Sequence, residues 1–278
     1  MPDKLHQIFN IKGKTVLITG ATGFFGRYIA QGFLDVGSRV ILMGRSDKLK
    51  KQVEVYRKKY GANRVVGFQI DFYNLKELET LLEKITKKFS IDVLINNADD
   101  LSQKTGFNTT KGRLENSEYE QWQSAFESGV YWAVLTTQII GKQFRQKKKG
   151  SIINISSMYG IVAPNPRLYQ GQQFFNPATY GVRKAALIAL TRYTASFWGK
   201  YGIRCNAIAP GPFSNTETQT ANSVDKKDPF LERLKERTLL HKLGHPNDLK
   251  GLLIYLASDA SNYVTGQTIS IDGGWTIT

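Results

Sequence analysis

The chain has 278 residues, 41% of them apolar, so it can bury a large core, and its length suits one α/β domain spanning residues 1–278. No run of about eighteen apolar residues occurs, and MPDKLHQIFN lacks the regions of a signal peptide, which predicts a cytoplasmic protein with no membrane partner. The single cysteine, Cys205, excludes an internal disulfide and a thiolate metal cluster. We therefore predict no metal site.

The formal charge of +15 raises nucleic-acid binding as one alternative, because clustered Lys and Arg neutralise phosphates. The lysines, however, occur in short groups at 48–51, 58–59, 87–88 and 147–149, where helices are predicted to lie or to end. Solvated helix faces and C-terminal turns account for most of them, since cations there offset the helix dipole. We predict no nucleic-acid partner, and an anionic small-molecule substrate is a better use of the charge.

Short β-branched runs alternate with segments of helical period from Thr15 onward, which is typical of repeated βαβ units in a doubly wound, Rossmann-type parallel sheet with helices on both faces. The predicted strands are TVLIT, RVILM, VVGFQI, DVLIN, SIINIS, IRCNAIA and TISID, about seven in all. Helices are predicted near residues 26–36, 75–89, 118–146, 179–199 and 247–257. Ligands bind beyond the carboxyl ends of such strands, so the residues after each strand are the candidate site.

A glycine-rich turn joins the first strand to the first of these helices. In the run from Thr19 to Gly26, glycines permit a tight turn and close approach of a pyrophosphate to the helix N-terminus. The alternative is a glycine turn without a ligand. The predicted cofactor contacts here are Gly20, Thr22, Gly23, Phe25 and Gly26.

The tip of strand 2 indicates which dinucleotide is preferred. An enzyme that binds a free ribose 2′-hydroxyl usually has Asp or Glu here, whereas this chain has Arg45 and Ser46. A guanidinium can pair with a 2′-phosphate through its planar fork of donors. We therefore predict NADP(H) as the preferred cofactor, with NAD(H) as the possible substitute. The alternative for Arg45 is a surface arginine.

The motifs in order along the chain resemble those of short-chain dehydrogenase/reductases over almost the whole length. They are the glycine turn, Asp71 after strand 3, Asn96-Asn97-Ala98, Ser156-Ser157, the YxxxK of Tyr180 to Lys184, Pro210-Gly211, and the segments beginning at Gly244 and Val264. The resemblance implies further cofactor contacts, namely Asp71, Phe72, Asn97, Ala98, Tyr180, Lys184, Pro210, Gly211 and Phe213. It also implies a homodimer or homotetramer.

Interconversion of an alcohol and a ketone by hydride transfer needs a general acid/base beside the oxygen, and Tyr180 is the candidate. A phenol has a reference pKa of about 10, and a neighbouring cation favours the phenolate. Lys184 lies one helical turn away and supplies that cation, and the family assigns it the cofactor ribose as well. Ser157 is predicted to donate a hydrogen bond to the substrate oxygen, with Ser156 on the opposite face.

The sequence departs from the family at three positions. Phe24 stands where the commoner glycine motif has a further glycine. Gly129 replaces an asparagine that holds a proton-relay water, so the relay runs through another water, through Ser128, or poorly. Asp99 replaces the glycine of NNAG, and its carboxylate either contacts substrate or faces solvent.

An insertion at about 158–178 separates Ser157 from Tyr180 and is predicted to form a wall of the substrate pocket. Its sequence VAPNPRLYQG resembles that of a subgroup of bacterial oxidoreductases associated with flagellin modification and with the sugars of surface polysaccharides. Amides and Tyr169 suit hydroxyl groups, while Arg167 or Lys111 suits a phosphate, which favours a sugar phosphate or nucleotide sugar. The alternatives are a surface loop or a subunit contact.

These features predict an alcohol dehydrogenase or ketoreductase that uses Ser157, Tyr180 and Lys184. The rival hypothesis, prompted by Gly129, is a weakly catalytic or non-catalytic cofactor-binding sensor or partner subunit. The intact Ser, Tyr and Lys argue against it.

Overall fold

The computed structural model describes residues 4–214 and 228–278. Two parts of the predicted domain lie outside this range, namely residues 1–3, at the start of MPDKLHQIFN, and residues 215–227. The strands are β1 (Thr15–Thr19), β2 (Arg39–Gly44), β3 (Val65–Gln69), β4 (Val93–Asn96), β5 (Gly150–Ile155), β6 (Ile203–Pro210) and β7 (Thr268–Ile271). They form one parallel sheet in the order β3-β2-β1-β4-β5-β6-β7, which confirms the predicted fold class.

Helices cover both faces of the sheet. They are α1 (Lys4–Ile8), α2 (Phe24–Asp35), α3 (Lys48–Tyr60), α4 (Leu75–Lys88), α5 (Tyr119–Phe126), α6 (Trp132–Lys147), α7 (Ala178–Trp198), α8 (Pro229–Arg237) and α9 (Asp248–Ala257). The predicted helix at 118–146 is interrupted, because a π-helical turn, Glu127–Tyr131, separates α5 from α6. In the part of the chain that is described, no helix combines the length and apolar character needed to cross a bilayer.

Alternation along the strands divides the core into two layers. Val16 and Ile18 of β1 join the layer beneath α2 and α9, whereas Leu17 joins the layer beneath α4 and α6. Burial on both faces explains why the strands read as continuous β-branched runs rather than as alternating patterns.

The sheet order reverses between β1 and β4, and this reversal positions the site. β1 pairs with β2 on one side and with β4 on the other. The connection after β1 therefore leads toward β2 and β3, whereas the connection after β4 leads the other way, toward β5. A crevice therefore opens beyond the carboxyl ends of β1 and β4, as the fold class requires.

The insertion is ordered against α8 and the C-terminal segment. It contains the 3-10 turns Met158–Gly160 and Pro166–Tyr169. Its Met158, Tyr159 and Leu168 form a third apolar cluster with Leu234 of α8 and Trp275. Tyr180 packs at the edge of that cluster, so the insertion lies next to the predicted catalytic helix.

Candidate active site

A cleft of about 330 Å³ lies at the reversal of the strand order. It brings together twelve of the predicted site residues: Gly20, Thr22, Gly23, Phe25, Arg45, Ser46, Phe72, Asn97, Ala98, Asp99, Tyr180 and Lys184. Six further residues that were not predicted as site residues also line it: Phe24, Gly44, Leu101, Trp132, Ile155 and Ser156. Most of these are apolar residues whose types carry no chemical signal.

The glycine turn is built by close backbone packing. Gly20 has φ +65°, and a Cβ on it would lie 2.8 Å from Cα of Ala98. A Cβ on Gly26 would collide with the carbonyl oxygen of Gly20, so Gly26 lets α2 approach the strand without lining the cleft itself. Gly23 caps α2 without a side-chain acceptor, which leaves the N–H groups of the first turn directed at the cleft.

Asn97 holds this turn from the neighbouring strand. Its Nδ2 donates to the carbonyl oxygens of Thr19 at 3.1 Å and Gly20 at 3.0 Å. The Thr19 hydroxyl accepts from the backbone N–H groups of Asn97 and Ala98, both at 3.0 Å. The family signature after β4 therefore fixes the shape of the cradle.

Arg45 stands at the rim of the cleft, 56% exposed, with its NH2 3.4 Å from Oδ1 of the buried Asp100. Burial alone would raise the pKa of Asp100, but hydrogen bonds from Tyr73 and Ser102 and the charge of Arg45 lower it below its ordinary value. Burial and the adjacent Asp100 raise the pKa of Tyr73, whose hydroxyl donates to that carboxylate at 2.8 Å. Arg45 is thus anchored by one nitrogen and keeps its other donors.

These observations fit a dinucleotide. The uncapped helix N-terminus and the glycine cradle suit a pyrophosphate, and the exposed donors of Arg45 beside Ser46 suit a 2′-phosphate. Asp71 and the loop residues Pro210, Gly211 and Phe213 do not line the cleft of this chain. Phe213 packs edge-on against Phe25 at 5.2 Å between ring centroids, so the loop adjoins the glycine turn.

Tyr180 lies in the first turn of α7, and Lys184 follows one turn later. Nζ of Lys184 is 5.6 Å from the centre of the Tyr180 ring and donates to the carbonyl of Ile155 at 3.0 Å. Lys184 is only 5% exposed, so its charge is held close to the ring with little screening by solvent.

The two serines after β5 have different hydrogen bonds. Ser156 lines the cleft, but its hydroxyl donates to the carbonyl of Lys184 at 2.8 Å and so anchors α7. Ser157 does not line the cleft, and its hydroxyl accepts from the backbone N–H of Tyr159 at 3.2 Å, which leaves its O–H as a donor. The hydrogen bonds favour Ser157 as the donor to a substrate, although Ser156 is nearer the cleft surface.

The predicted substrate contacts occupy different places. Asp99 is 9% exposed, so it does not face solvent; its carboxylate lies 3.2 Å from both Arg183 and Lys184. Arg167 is exposed on its 3-10 turn, and Lys111 pairs with Glu118 at 2.6 Å on the surface. The Tyr169 hydroxyl is 3.2 Å from that of Tyr159 and accepts from Asn176, so both its contacts are internal.

Arg183, which occupies a variable position of the YxxxK motif, was not among the predicted site residues. Its side chain is fully buried between Tyr180 and Asp99, beside Gly129. Ser128, proposed above as part of a relay, accepts from Arg183 at 3.5 Å and donates to the carbonyl of Ser124 at 2.8 Å. No signal within the motif marks it, because its burial depends on Gly129 and Asp99, which lie in other segments.

A parallel sheet with a glycine-lined cleft at its reversal, and a Tyr–Lys pair beside that cleft, defines a dinucleotide-binding oxidoreductase of Rossmann type. A family model described as enoyl-(acyl carrier protein) reductase matches residues 20–276. The chain belongs to the short-chain dehydrogenase/reductase family.

Several of the similar proteins are named for carbohydrate substrates. A sorbose reductase of Schizosaccharomyces pombe is 31% identical, with 98% of this chain and 99% of that protein covered. A 2-dehydro-3-deoxy-D-gluconate 5-dehydrogenase of Formosa agariphila is 30% identical, with 96% and 94% covered. A solved structure described as an NAD(P)-dependent gluconate 5-dehydrogenase of Beutenbergia cavernae, with bound NADP, is 26% identical, covers 98% of this chain and 100% of that one, and has a TM-score of 0.82.

These findings confirm the predicted oxidoreductase class and its nicotinamide cofactor at the level of the family. The names of these relatives do not include flagellin modification, so that resemblance stays a prediction. The oligomeric state and the cytoplasmic location also stay predictions.

Proposed function

We propose that this protein is an NADP(H)-preferring carbonyl reductase or alcohol dehydrogenase that acts on a carbohydrate. The observation that carries the proposal is that the glycine cradle, Tyr180 and Lys184 share one cleft at the reversal of the sheet. The names of the similar proteins support a ketose, a sugar alcohol or a keto sugar acid as substrate.

In this proposal the cofactor pyrophosphate rests on the turn from Gly20 to Gly26, and Arg45 with Ser46 binds the 2′-phosphate. A bound nicotinamide supplies the hydride in reduction and takes it up in oxidation. The chain's own residues orient the cofactor and exclude water from the reacting centre, since Trp132 and Ile155 line the same cleft.

Tyr180 gives its phenolic proton to the carbonyl oxygen during reduction and takes the hydroxyl proton during oxidation. The ammonium group of Lys184 lies beside the Tyr180 ring, where its charge stabilises negative charge that develops on the phenolic oxygen during proton transfer. Ser157 donates its O–H to the same substrate oxygen and stabilises the negative charge that develops there. The insertion at 158–178 walls the substrate side, since it packs against Tyr180 through the third apolar cluster.

The test is calorimetry with NADPH and NADH on the purified protein, followed by an absorbance screen for turnover. The screen covers sorbose, fructose, mannitol and keto derivatives of gluconate, with sugar phosphates and nucleotide sugars as a second set. We expect tight NADPH binding, turnover of at least one carbohydrate, and a loss of about 10²–10⁴-fold in Tyr180→Phe with NADPH affinity retained. Tight binding without turnover in either set would reject the enzyme and favour the cofactor-binding sensor.

A further inference from the structure

Arg183 is a charged residue buried beside the proposed acid/base. Its side chain is 0% exposed, and its guanidinium carbon lies 5.4 Å from the centre of the Tyr180 ring. NH2 donates to the backbone carbonyl of Asp100 at 2.9 Å. A buried guanidinium is costly unless an opposite charge accompanies it.

Asp99 supplies that opposite charge. Its Oδ1 lies 3.2 Å from Arg183 and its Oδ2 lies 3.2 Å from Lys184, so one carboxylate bridges two cations that are consecutive in α7. Neither carboxylate oxygen accepts a well-directed hydrogen bond from the described residues, so the interaction is mainly one of charge. The three groups together carry one net positive charge.

Gly129 makes room for this arrangement. It lies in the π-helical turn between α5 and α6, and a Cβ on it would collide with Cδ of Arg183 and lie 2.8 Å from its Cγ. Any other side chain at this position would displace the arginine. Gly129, Arg183 and Asp99 therefore form one unit, although they lie in three different segments of the sequence.

The charged and titratable groups around Tyr180 come from three segments. Arg183 and Lys184 face it from its own helix, and Asp99 faces both cations from the end of β4. Tyr159 approaches from the insertion, with 6.5 Å between ring centroids, and burial raises its pKa, which keeps it neutral. The net charge beside the Tyr180 phenol is therefore set by the Asp99 carboxylate together with the cations Arg183 and Lys184.

We propose that Arg183 and Asp99 are paired positioning residues that set, with opposite signs, how readily Tyr180 ionises beside Lys184. This proposal rests on the proposed function for its catalytic meaning. Arg183 adds a positive charge that favours the phenolate, and Asp99 offsets it, so the pair leaves the effect of Lys184 intact.

The experiment measures ionisation of Tyr180 directly. Near-ultraviolet absorbance of phenolate is titrated in each protein and in its Tyr180→Phe counterpart, and the difference isolates Tyr180 from the other tyrosines. The proteins are the wild type, Arg183→Gln, Asp99→Asn and the double variant. Arg192→Met, an exposed arginine of the same helix, is the control.

We expect the midpoint of the Tyr180 titration to move in opposite directions in the two single variants, upward in Arg183→Gln and downward in Asp99→Asn. The double variant should return close to the wild type, and the control should not move. The pH at half-maximal oxidation of the alcohol should shift in the same directions.

The inference would be overturned if the Tyr180 titration midpoint were unchanged in the folded single variants, or if it shifted in the same direction in both. A merely structural role would lower Tm without shifting the two midpoints in opposite directions. If Arg183→Gln does not fold, Asp99→Asn alone tests the inference: a lower Tyr180 titration midpoint supports it and an unchanged or higher midpoint overturns it. Opposite shifts without any turnover would reject the proposed function and leave the charge pair standing, whereas turnover without the shifts would reject only the pair.

Discussion

At the scale of single residues, Gly129 is a position where only glycine fits, because there is no room for a side chain. The Arg183 side chain fills the volume that a larger residue would need. We expect Gly129→Ala to lower the free energy of unfolding by about 1–3 kcal/mol, because an added methyl in a packed interior forces its neighbours to move. Thermal or denaturant unfolding measures this change.

The control for this variant is Gly251→Ala in α9, where an added Cβ would meet no atom within 4 Å. It should be neutral or slightly stabilising, since alanine favours helix. Combining Gly129→Ala with Arg183→Ala should cost no more than Arg183→Ala alone. An additive loss in that double variant would show that Gly129 is required for another reason.

Arg45 is the residue that we propose sets the cofactor preference. It is more than half exposed and has one contact to Asp100, so its remaining donors face the rim of the cleft. Loss of a charge-assisted contact to a phosphate should cost about 1.5–3 kcal/mol, or about 10–100-fold in affinity. We therefore expect Arg45→Met to weaken NADPH binding by this factor and to leave NADH binding nearly unchanged, as measured by calorimetry.

The matched control is Arg39→Met at the opposite end of the same strand, where the side chain is also exposed. It should alter neither affinity. If Arg45→Met weakened both cofactors equally, Arg45 would be supporting the shape of the cleft through Asp100 rather than reading the phosphate.

At the scale of elements, the sheet could be predicted from the sequence and part of the site could not. The strand bounds agree within one residue because buried parallel strands are continuous β-branched runs. No bounds were predicted for α3, although its lysines were assigned to a helix, because KLKKQVEVYRKKY is highly charged and buries only Leu49 and Val53. Arg183 was missed because its burial depends on Gly129 and Asp99, which lie in other elements.

Besides the apolar cluster, one polar side chain ties the insertion to α8, and its loss should be visible in kinetics. Arg233 of α8 donates Nε to the carbonyl of Leu168 at 3.0 Å and NH2 to that of Gln170 at 2.9 Å. If the insertion is the substrate wall, Arg233→Met loosens it without touching Tyr180 or Lys184. We expect KM for the carbohydrate to rise several-fold with a smaller change in kcat, since ground-state and transition-state binding are weakened alike.

Lys235→Met on the same helix, a half-exposed cation paired with Glu232, is the control and should leave KM unchanged. A KM equal to that of the wild type in Arg233→Met would instead favour the alternative that the insertion is a surface loop or a subunit contact.

At the scale of the whole molecule, α7 presents an apolar stripe on the side opposite to the site. Its exposed residues are Val182, Ala185, Ala189, Tyr193 and Phe197, at helical spacing. Tyr193 and Phe197 are 60% and 56% exposed and stack with 4.4 Å between centroids. Small residues permit close approach of a second helix, and a face of this kind suits self-association about a two-fold axis.

We expect the protein to form a homodimer or homotetramer through this face, and the variant Tyr193→Glu with Phe197→Glu to dissociate, because charges would be buried in the interface. Size-exclusion chromatography with light scattering measures the mass. Val55→Glu, which changes an exposed apolar residue of α3, is the control and should form an assembly of the same size as the wild type. A monomeric wild type would show that the protein does not self-associate. A double variant that assembles like the wild type would show that the contact lies on another face. Because the same helix carries Tyr180 and Lys184 on its inner side, dissociation is also expected to reduce turnover, which links the assembly to the site.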